Sequence, residues 1–279
     1  MTRRFFAGCI TPAGFTDFFH HIMPIQKAQR RYFIKGASGS GKSTFITKIA
    51  KNVASHNIDF FHCSNDASSI DGIQVPSLGF SIIDATSPHA HDPAIPGGID
   101  KIIDFGNFLD AKQVSKYIGE IIELTSIKKR LYAEAQILIS NTCTVIELEN
   151  NRNLFLSAIT PDGFKSFKDI TLAGYKVYDA PSQAFLQTQR ETALKQNIAT
   201  ESLCNPLNPQ ELECLIIPSQ SVAYYDSSPS NLVEEKQVEQ AIALMYKARA
   251  THYLIEEIYI NAMDFSHMDE LAQKVIDEI

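Results

Sequence analysis

The sequence predicts an α/β fold, in which a parallel sheet is flanked by helices and the whole unit is duplicated. One observation is a glycine-rich loop at residues 36–44, which follows an apolar run, Tyr32-Phe33-Ile34, and precedes a helix-forming stretch, Phe45 to Val53. The others are an internal repeat and a long proline-free segment in each half. Strand, glycine loop and helix in this order are typical of sheets that bind phosphate groups beyond the carboxyl ends of their strands.

The glycine-rich loop matches the phosphate-binding pattern G-x-x-x-x-G-K-[ST]. Glycines let backbone N–H groups approach a phosphate, and the helix N-terminus adds a positive dipole end. We expect Lys42 to reach the β and γ phosphates, Ser43 to offer its hydroxyl to Mg²⁺, and Thr44 to donate near the α-phosphate. The predicted fold is therefore that of a P-loop NTPase, with ATP and Mg²⁺ as ligands. The expected nucleotide-binding residues are Gly36, Ala37, Ser38, Gly39, Ser40, Gly41, Lys42, Ser43 and Thr44.

A P-loop NTPase also needs an acid that holds Mg²⁺ at the end of a neighbouring strand. Asp84 is the first candidate because it ends the apolar run Phe80-Ser81-Ile82-Ile83, although an ordinary turn or N-cap aspartate is the alternative. Asp66, which follows the Phe60-Phe61 strand, is the competitor. The pair Asp71-Gly72 reads as a turn.

An internal repeat relates the two halves of the chain. The segment FAGCITPAGF at Phe6 to Phe15 recurs as FLSAITPDGF at Phe155 to Phe164, and further anchors follow in the same order, among them Asp84 and Asp226. The offset between the copies falls from 149 before the glycine loop to 142 after it, so the second copy is 149 − 142 = 7 residues shorter there. The halves share an ancestor, and something was deleted from the second.

The second half is expected to have lost the phosphate site. It contains no glycine in the 279 − 174 = 105 residues after Gly174, and a phosphate cradle without glycine is not physically plausible. The sequence Asp179-Ala180-Pro181-Ser182 stands where the first half has its loop. We therefore divide the chain into a nucleotide-binding unit with a C-terminal helical segment at residues 1–150 and a degenerate repeat at residues 151–279.

A segment rich in proline, glycine and histidine, Ser87 to Phe108, follows Asp84 and is largely missing from the second half. One interpretation is a flap over the phosphates, in which His89 or Asp92 orients the attacking water or an acceptor hydroxyl. The other is a connecting loop whose histidines hydrogen-bond to the loop itself. The expected catalytic residues are accordingly Lys42, Asp84, Asp66 and His89.

Long helices are expected at the end of each half. Asp110 to Asn150 contains no proline and has a seven-residue apolar spacing, which fits either a helix packed on its own domain or an arm that binds a partner. Val233 to Asn261 is the matching segment. Asp264 to Ile279 is expected to be one more short helix, with Ser266 as its N-cap.

The composition is that of a soluble enzyme. A chain of 279 residues with 44% apolar content has room for one large or two small domains with real cores. A net charge of −7 argues against a nucleic-acid-binding surface. Five cysteines have neither metal spacing nor an even count, which indicates a reduced, cytoplasmic protein. No run reaches the length of a transmembrane helix, so no membrane is expected as a partner.

Four segments together, FFAGxITPAGF, GASGSGKST, FHCSNDASSIDGI and VPSLGFSIIDATSPHAHDP, followed by a helical tail, resemble a largely uncharacterised group of bacterial P-loop ATPases. This group, sometimes labelled nucleotide-kinase-like, is built from two tandem P-loop units. The resemblance covers nearly the whole chain and implies ATP binding and hydrolysis, but it supplies no substrate. Fuller members carry a phosphate loop in both halves, whereas only Gly36 to Thr44 provides one here.

Two functions from different classes follow. The first is an ATPase or nucleotide switch that serves a protein partner, and the second is a kinase that transfers the γ-phosphoryl group to a small acceptor. A nucleotide-binding protein without turnover is a weaker third. Arginine occurs at only eight positions and forms no arginine-rich lid, which favours the ATPase. Arg190 is a candidate to reach the γ-phosphate, with a solvated helix charge as the alternative, and a homo-oligomer stays open.

Overall fold

The computed structural model describes residues 2–145, 147–148 and 150–279. The strands of the first half are β1 (Thr2–Phe6), β2 (Gly8–Thr11), β3 (Gly14–Asp17), β4 (Arg30–Lys35), β5 (Ile58–His62), β6 (Ile70–Val75), β7 (Phe80–Asp84) and β8 (Asp100–Asp104). Those of the second half are β9 (Asn151–Leu154), β10 (Ser157–Thr160), β11 (Gly163–Ser166), β12 (Lys176–Asp179), β13 (Thr200–Asn205), β14 (Asn208–Ile217) and β15 (Val222–Tyr225). The helices are α1 (Lys42–Asn52), α2 (Ala111–Ser115), α3 (Ile118–Ile139), α4 (Lys168–Leu172), α5 (Gln183–Lys195), α6 (Glu235–Ala262) and α7 (Met268–Ile276).

The first large sheet has six strands in the order β1-β5-β6-β7-β4-β8. Strand β4 is parallel to β7 and β8, but β6 is antiparallel to both of its neighbours. The sheet is therefore mixed, and the expectation of a parallel sheet is corrected. The reason is the short connections on either side of β6, at residues 63–69 and 76–79, because a parallel crossover needs a dozen residues or more.

The two faces of this sheet are covered differently. Side chains alternate along β4, so Tyr32 and Ile34 join a buried cluster with α1 and α7, while Phe33 points into a second cluster. That second cluster also contains residues of the other large sheet, such as Leu203 and Ile216. The sheet therefore has helices on one face and the second half of the chain on the other, and the expectation of flanking helices holds only for the first face.

The second large sheet repeats the topology of the first. Its order is β9-β13-β14-β15-β12, with the same parallel and antiparallel pairs, and only β8 has no counterpart. Each half also has a proline-initiated 3₁₀ turn, Pro76–Leu78 and Pro218–Gln220, that ends on a left-handed residue. Those residues are Gly79 with φ 58° and Ser221 with φ 54°. The correspondence follows the 142-residue offset of the sequence repeat.

The two halves meet through their edge strands. Phe6 and Phe155 form an antiparallel bridge, in which each N–H donates to the other residue's carbonyl at 2.9 and 3.0 Å. Their numbers differ by 155 − 6 = 149, so they are equivalent positions of the repeat. The contact is therefore an approximate two-fold pairing within one chain.

A buried charge cluster lies beside this bridge. Arg3 donates to Asp59 and Glu201, and Arg152 donates to the same two carboxylates at 3.0 and 2.8 Å. Burial alone would raise the pKa of Asp59 and of Glu201, but the two guanidinium groups together lower both. Each half thus supplies one arginine and one acid.

The helical ends of the two halves pack on each other. Within residues 111–139 the chain forms α2 and α3, and α3 ends at Ile139. The helix expected to reach Asn150 is therefore shorter, because residues 140–145, 147, 148 and 150 are not helical, while 146 and 149 lie outside the described residues. Helix α3 runs along α6, the helix expected over Val233 to Asn261. Packing within the chain therefore accounts for α3, in place of a free arm.

The C-terminal helix α7 covers α1, and Ala272 and Val275 are buried there. Its N-cap position is occupied by His267, without a capping side-chain hydrogen bond. Ser266 donates its hydroxyl to Asp264 instead, so the expectation that Ser266 caps this helix is wrong. In the part of the chain that is described, no helix is long and apolar enough to cross a membrane.

Candidate functional site

The glycine loop lies where the carboxyl ends of β4 and β7 meet. Helix α1 begins at Lys42, directly after Gly41, whose φ of 88° is the left-handed conformation that favours glycine. Strand β7 runs parallel to β4, with Asp84 opposite Ile34 in register. The first helical turn and the end of β7 are therefore brought together.

Lys42 lies across the mouth of the loop. Its Nζ donates to the carbonyl oxygens of Gly36 at 2.8 Å and Ala37 at 2.7 Å, and it lies 3.5 Å from Oδ2 of Asp84. The side chain is only 9% exposed. The ammonium group is thus held inside the loop.

Hydroxyl groups fix the neighbouring backbone. Ser43 Oγ accepts a hydrogen bond from the N–H of Ile70 at 2.8 Å, which ties the start of α1 to β6. Thr86 donates its hydroxyl to the Gly36 carbonyl at 3.1 Å, and its N–H donates to Asp84 Oδ1 at 2.9 Å. These bonds orient the Asp84 carboxylate toward the loop.

A second acid, Asp71, lies behind Asp84. It is buried in β6, so its interpretation as a turn residue is wrong. Burial raises the pKa of Asp71 to about 6, and the charge of Asp84 adds to the effect, while His89 and Lys42 oppose it. Side-chain ligand atoms of Asp71, Asp84 and His89 all lie within 4.8 Å of one another.

The internal repeat contains the signal for Asp71. Strands β5 and β6 have a β-bulge in which Asp71 is the extra residue, and β13 and β14 have the same bulge at Glu213. Since 71 + 142 = 213, the two acids are equivalent positions of the repeat. Glu213 is also buried, and burial raises its pKa to about 7. Both halves thus have a buried acid, Asp71 or Glu213, at the same bulge. A local turn pattern does not explain this.

His89 is part of this constellation. Its Nδ1 lies 2.9 Å from the Asp84 carbonyl oxygen, and its Nε2 lies 3.6 Å from Oδ2 of Asp71. The imidazole ring stacks on Phe19 at 4.4 Å between centroids. Asp92 is not brought to the site, because its side chain is 93% exposed and only approaches Lys35, at 3.5 Å.

The segment from Ser87 to Phe108 is anchored over much of its length. Asp100 forms a two-bond ion pair with Arg31, at 2.7 Å for each bond, and it also accepts from the N–H groups of Ala94 and Ile95. Residues 100–104 are strand β8 of the first sheet. The interpretation as a flap is therefore limited to residues 87–99.

Asp66 is placed differently from Asp84. Its Oδ1 accepts from the N–H and the hydroxyl of Ser68 at 3.0 and 2.7 Å, as in a local turn. Its charge acts on Arg249 and Tyr253 of α6. The structure thus brings Lys42, Ser43, Asp84 and His89 together, with Asp66 facing the second half.

Helix α6 of the second half lies against the glycine loop. A β-carbon built on Gly39 would be 2.6 Å from the Glu256 carbonyl oxygen, and one on Gly41 would be 3.0 Å from the Phe265 ring. Near this contact, Lys128 of α3 lies 3.1 Å from Nδ1 of His252. Both halves therefore shape the surroundings of the loop.

Arg190 has neither of its expected roles. It is buried on α5. Burial lowers the pKa of its guanidinium group, while Cys204 and Glu191 act in the opposite direction. The helix packs on β13 and β14, so its inward face is part of the second-half interior. Arg190 is therefore not a solvated helix charge, and its neighbours are not those of the loop.

Two cavities adjoin α1 and α5, the helices that follow the equivalent strands β4 and β12. A groove of about 580 Å³ adjoins the loop and is lined by Ser43, Thr44, Thr47, Lys48, Lys51 and Asn52. A cavity of about 370 Å³ lies at the start of α5 and is lined mainly by Asp179, Ser182, Gln183, Glu211, Asp226 and Ser228. The described residues that line the second cavity include acids and no lysine or arginine, so it would repel phosphate.

Neither a family model, nor a curated protein, nor a solved structure matches this chain. The function of the site therefore has to be inferred from the arrangement of its residues. A lysine inside a glycine loop, a helix N-terminus and a hydroxyl group near carboxylates are the groups that bind a phosphate chain with a divalent cation.

Proposed function

We propose that this protein is a P-loop NTPase that binds ATP with Mg²⁺ at residues 36–44 and hydrolyses it. The observation that carries the proposal is the position of Lys42 within the glycine loop, 3.5 Å from the carboxylate of Asp84. A cation and an acid at the joined ends of two parallel strands are what a phosphate chain and its metal ion need.

The phosphate chain would replace the carbonyl contacts of Lys42. Backbone N–H groups of the loop and the N-terminus of α1 would bind the β and γ phosphates, with Lys42 as the point charge. The nucleoside would extend into the groove along α1, next to Thr44 and Thr47. A volume of about 580 Å³ lies within the usual range for a small-molecule site.

The donor set fits Mg²⁺, which prefers oxygen ligands and keeps several waters. Ser43 offers a hydroxyl oxygen and Asp84 a carboxylate, and Thr86 holds that carboxylate in place. When bound, the ion would neutralise charge on the β and γ phosphates. Asp71 and His89 would support Asp84 from behind. Asp71, whose pKa burial raises to about 6, would accept a proton.

Kinase activity is the second candidate, and Asp71 is the observation that favours it. A kinase needs a carboxylate that accepts the proton of the acceptor hydroxyl. Asp71 has a buried carboxyl group whose pKa is raised to about 6, and it lies beside Asp84, the residue proposed to bind Mg²⁺. An acceptor would have to approach from residues 87–99, next to His89.

The test measures ATP binding by calorimetry and phosphate release with Mg²⁺, for the wild type and for Lys42→Ala. We expect the substitution to lower turnover by at least about 100-fold and to weaken binding, because it removes the positive charge of Lys42 that would contact the γ-phosphate. Lys195→Ala is the matched control, since that lysine is 79% exposed and lies on α5. Normal turnover by Lys42→Ala would refute the proposal.

A panel of nucleosides and nucleotides separates the two activities. Phosphate release without an acceptor supports the ATPase, whereas strict dependence on an acceptor supports the kinase. A cytoplasmic location and a protein partner that responds to the nucleotide belong to the ATPase proposal. The second half, whose α6 touches the loop at Gly39, is the surface on which such a partner would act.

A further inference from the structure

Two adjacent histidines and a glutamate converge away from the glycine loop. His20 and His21 end a 3₁₀ turn, Phe19–His21, and Glu147 lies in the segment between α3 and β9. Nε2 of His20 lies 2.9 Å from Oε2 of Glu147, and Nε2 of His21 lies 3.3 Å from the same oxygen. Three side chains from two distant parts of the sequence thus aim one ligand atom each at a common point.

The spacing of these atoms suits a tetrahedral ion. Ligands about 2.0–2.1 Å from a tetrahedral zinc ion are about 3.3–3.4 Å apart. The two histidine-to-carboxylate distances are 2.9 and 3.3 Å, and all three ligand atoms lie within 4.8 Å of one another. Two of the three ligand-atom separations are therefore close to those of such a site.

The backbone of the two histidines is held in place. The N–H of Phe19 donates to Oδ1 of Asp17 at 2.8 Å, and the Phe18 and Phe19 side chains are both buried. The chain therefore presents both imidazole rings without the need to order a loop. Such preorganisation of ligands favours metal binding.

His21 presents a buried ring nitrogen to the cluster. Its Nε2 is buried and lies 3.3 Å from Oε2 of Glu147. A neutral imidazole has a lone pair at this atom that a metal ion can take.

We propose that His20, His21 and Glu147 bind a divalent transition-metal ion of the zinc type, with water as the remaining ligand. Two imidazole nitrogens and one carboxylate are a known ligand set for zinc, and they leave one position open. The ion would tie the segment between the halves to the first half. The site is separate from the one proposed for Mg²⁺ and does not depend on it.

The positive neighbour of the site does not oppose this strongly. Arg152 is the arginine whose charge acts on His21, and it is already paired with Asp59 and Glu201. The ion would also neutralise Glu147, whose side chain is about half exposed. The charge of Glu147 therefore offsets that of the ion, and the charge of Arg152 is already offset by its own acidic partners.

The experiment uses the full chain, stripped with a chelator and then titrated with Zn²⁺ in the absence of nucleotide and Mg²⁺. We expect one tightly bound Zn²⁺ per chain by elemental analysis after dialysis. Bound Co²⁺ should show the intense visible absorption of a four-coordinate ion. His20→Ala and Glu147→Gln should each weaken binding by at least about 100-fold. Both side chains are about half exposed, so the variants should fold.

Two controls locate the ion. His56→Ala changes a histidine whose Nδ1 lies 3.1 Å from the Ser77 hydroxyl, and Asp84→Asn changes a second cluster of described residues that could hold a metal. Both variants should keep the tight Zn²⁺. Retention by His20→Ala, loss in Asp84→Asn, or no tight Zn²⁺ in the wild type would each overturn the proposal. The melting temperatures of the stripped variants, compared with the stripped wild type, show that they are folded.

Discussion

Gly39 of the glycine loop lies directly against Glu256 of the second half, where a β-carbon would come within 2.6 Å of the Glu256 carbonyl oxygen. The loop and α6 are therefore in backbone contact, with no room for a side chain. Because this loop residue touches the other half, movement of α6 and occupancy of the loop should influence each other.

The Gly39 contact can be tested with two glycines of equal conformation. Gly39 and Gly97 both have φ 77°, but a β-carbon at Gly97 meets nothing within 4 Å. Both Gly→Ala variants carry the left-handed strain, and only Gly39→Ala adds the clash with α6. We expect Gly39→Ala to lose at least about 1 kcal/mol more stability than Gly97→Ala, or about 2–4 °C more in melting temperature. Equal melting temperatures would contradict the contact.

Asp71 should make stability depend on pH. Its pKa is about 6 when folded and 3.8 ordinarily, so the folded state favours the protonated form. Its contribution is full below about pH 4 and is lost as the pH rises through 6. Asp71→Asn should therefore gain stability relative to the wild type between pH 4.5 and 7.5, by up to about 3 kcal/mol. Urea unfolding without Mg²⁺ or nucleotide measures this.

The control for Asp71 is Asp92→Asn, because Asp92 is exposed and approaches only Lys35. Its stability difference from the wild type should stay constant over the same pH range. If Asp71→Asn behaves in the same way, Asp71 has an ordinary pKa in the folded protein. The pair of variants separates burial of one carboxyl from general effects of net charge.

The number of nucleotide sites should be one per chain. The second-half cavity is lined by acids, among them Asp179 and Asp226, and these would repel a phosphate chain. A calorimetric titration with ATP and Mg²⁺ should give one site for the wild type and no tight site for Lys42→Ala. One site remaining in Lys42→Ala would place a nucleotide in the second half.

The buried charge cluster should be a major source of cohesion between the halves. Arg152→Met would leave Asp59 and Glu201 buried with Arg3 as their only arginine partner in the cluster. Breaking a buried pair in this way costs about 3–5 kcal/mol. Arg130→Met is the control, since its pair with Glu134 is exposed and worth at most about 1 kcal/mol. Equal losses in chemical denaturation would show that the cluster adds nothing beyond a surface pair.

The sequence predicts the loop well because its signal is local. A strand, glycines at positions that need left-handed backbone, and a helix all lie within residues 30–52, and the structure places them in that order. The sequence does not identify Asp71 as a site residue, because an Asp-Gly pair has the local pattern of a turn. Its position depends on a bulge between two strands. Only the second copy, with Glu213, carries that information.

Other errors have the same origin in tertiary context. The burial of Arg190 follows from the packing of α5 on the second sheet, which the polar sequence of that helix does not reveal. Ser266 has the residue type of an N-cap, but Asp264 competes for its hydroxyl. The direction of β6 follows from its two short connections, which override the parallel arrangement usual for sheets with this motif.

The bridge between Phe6 and Phe155 has a consequence for how this molecule can be regulated. In an ordinary dimer, such a pairing would depend on protein concentration, and active and inactive subunits could exchange. Here the two partners belong to one chain, so dilution cannot separate them. Every molecule carries one half with the glycine loop and one half without it. The asymmetry is therefore encoded in one chain and is the same in every molecule.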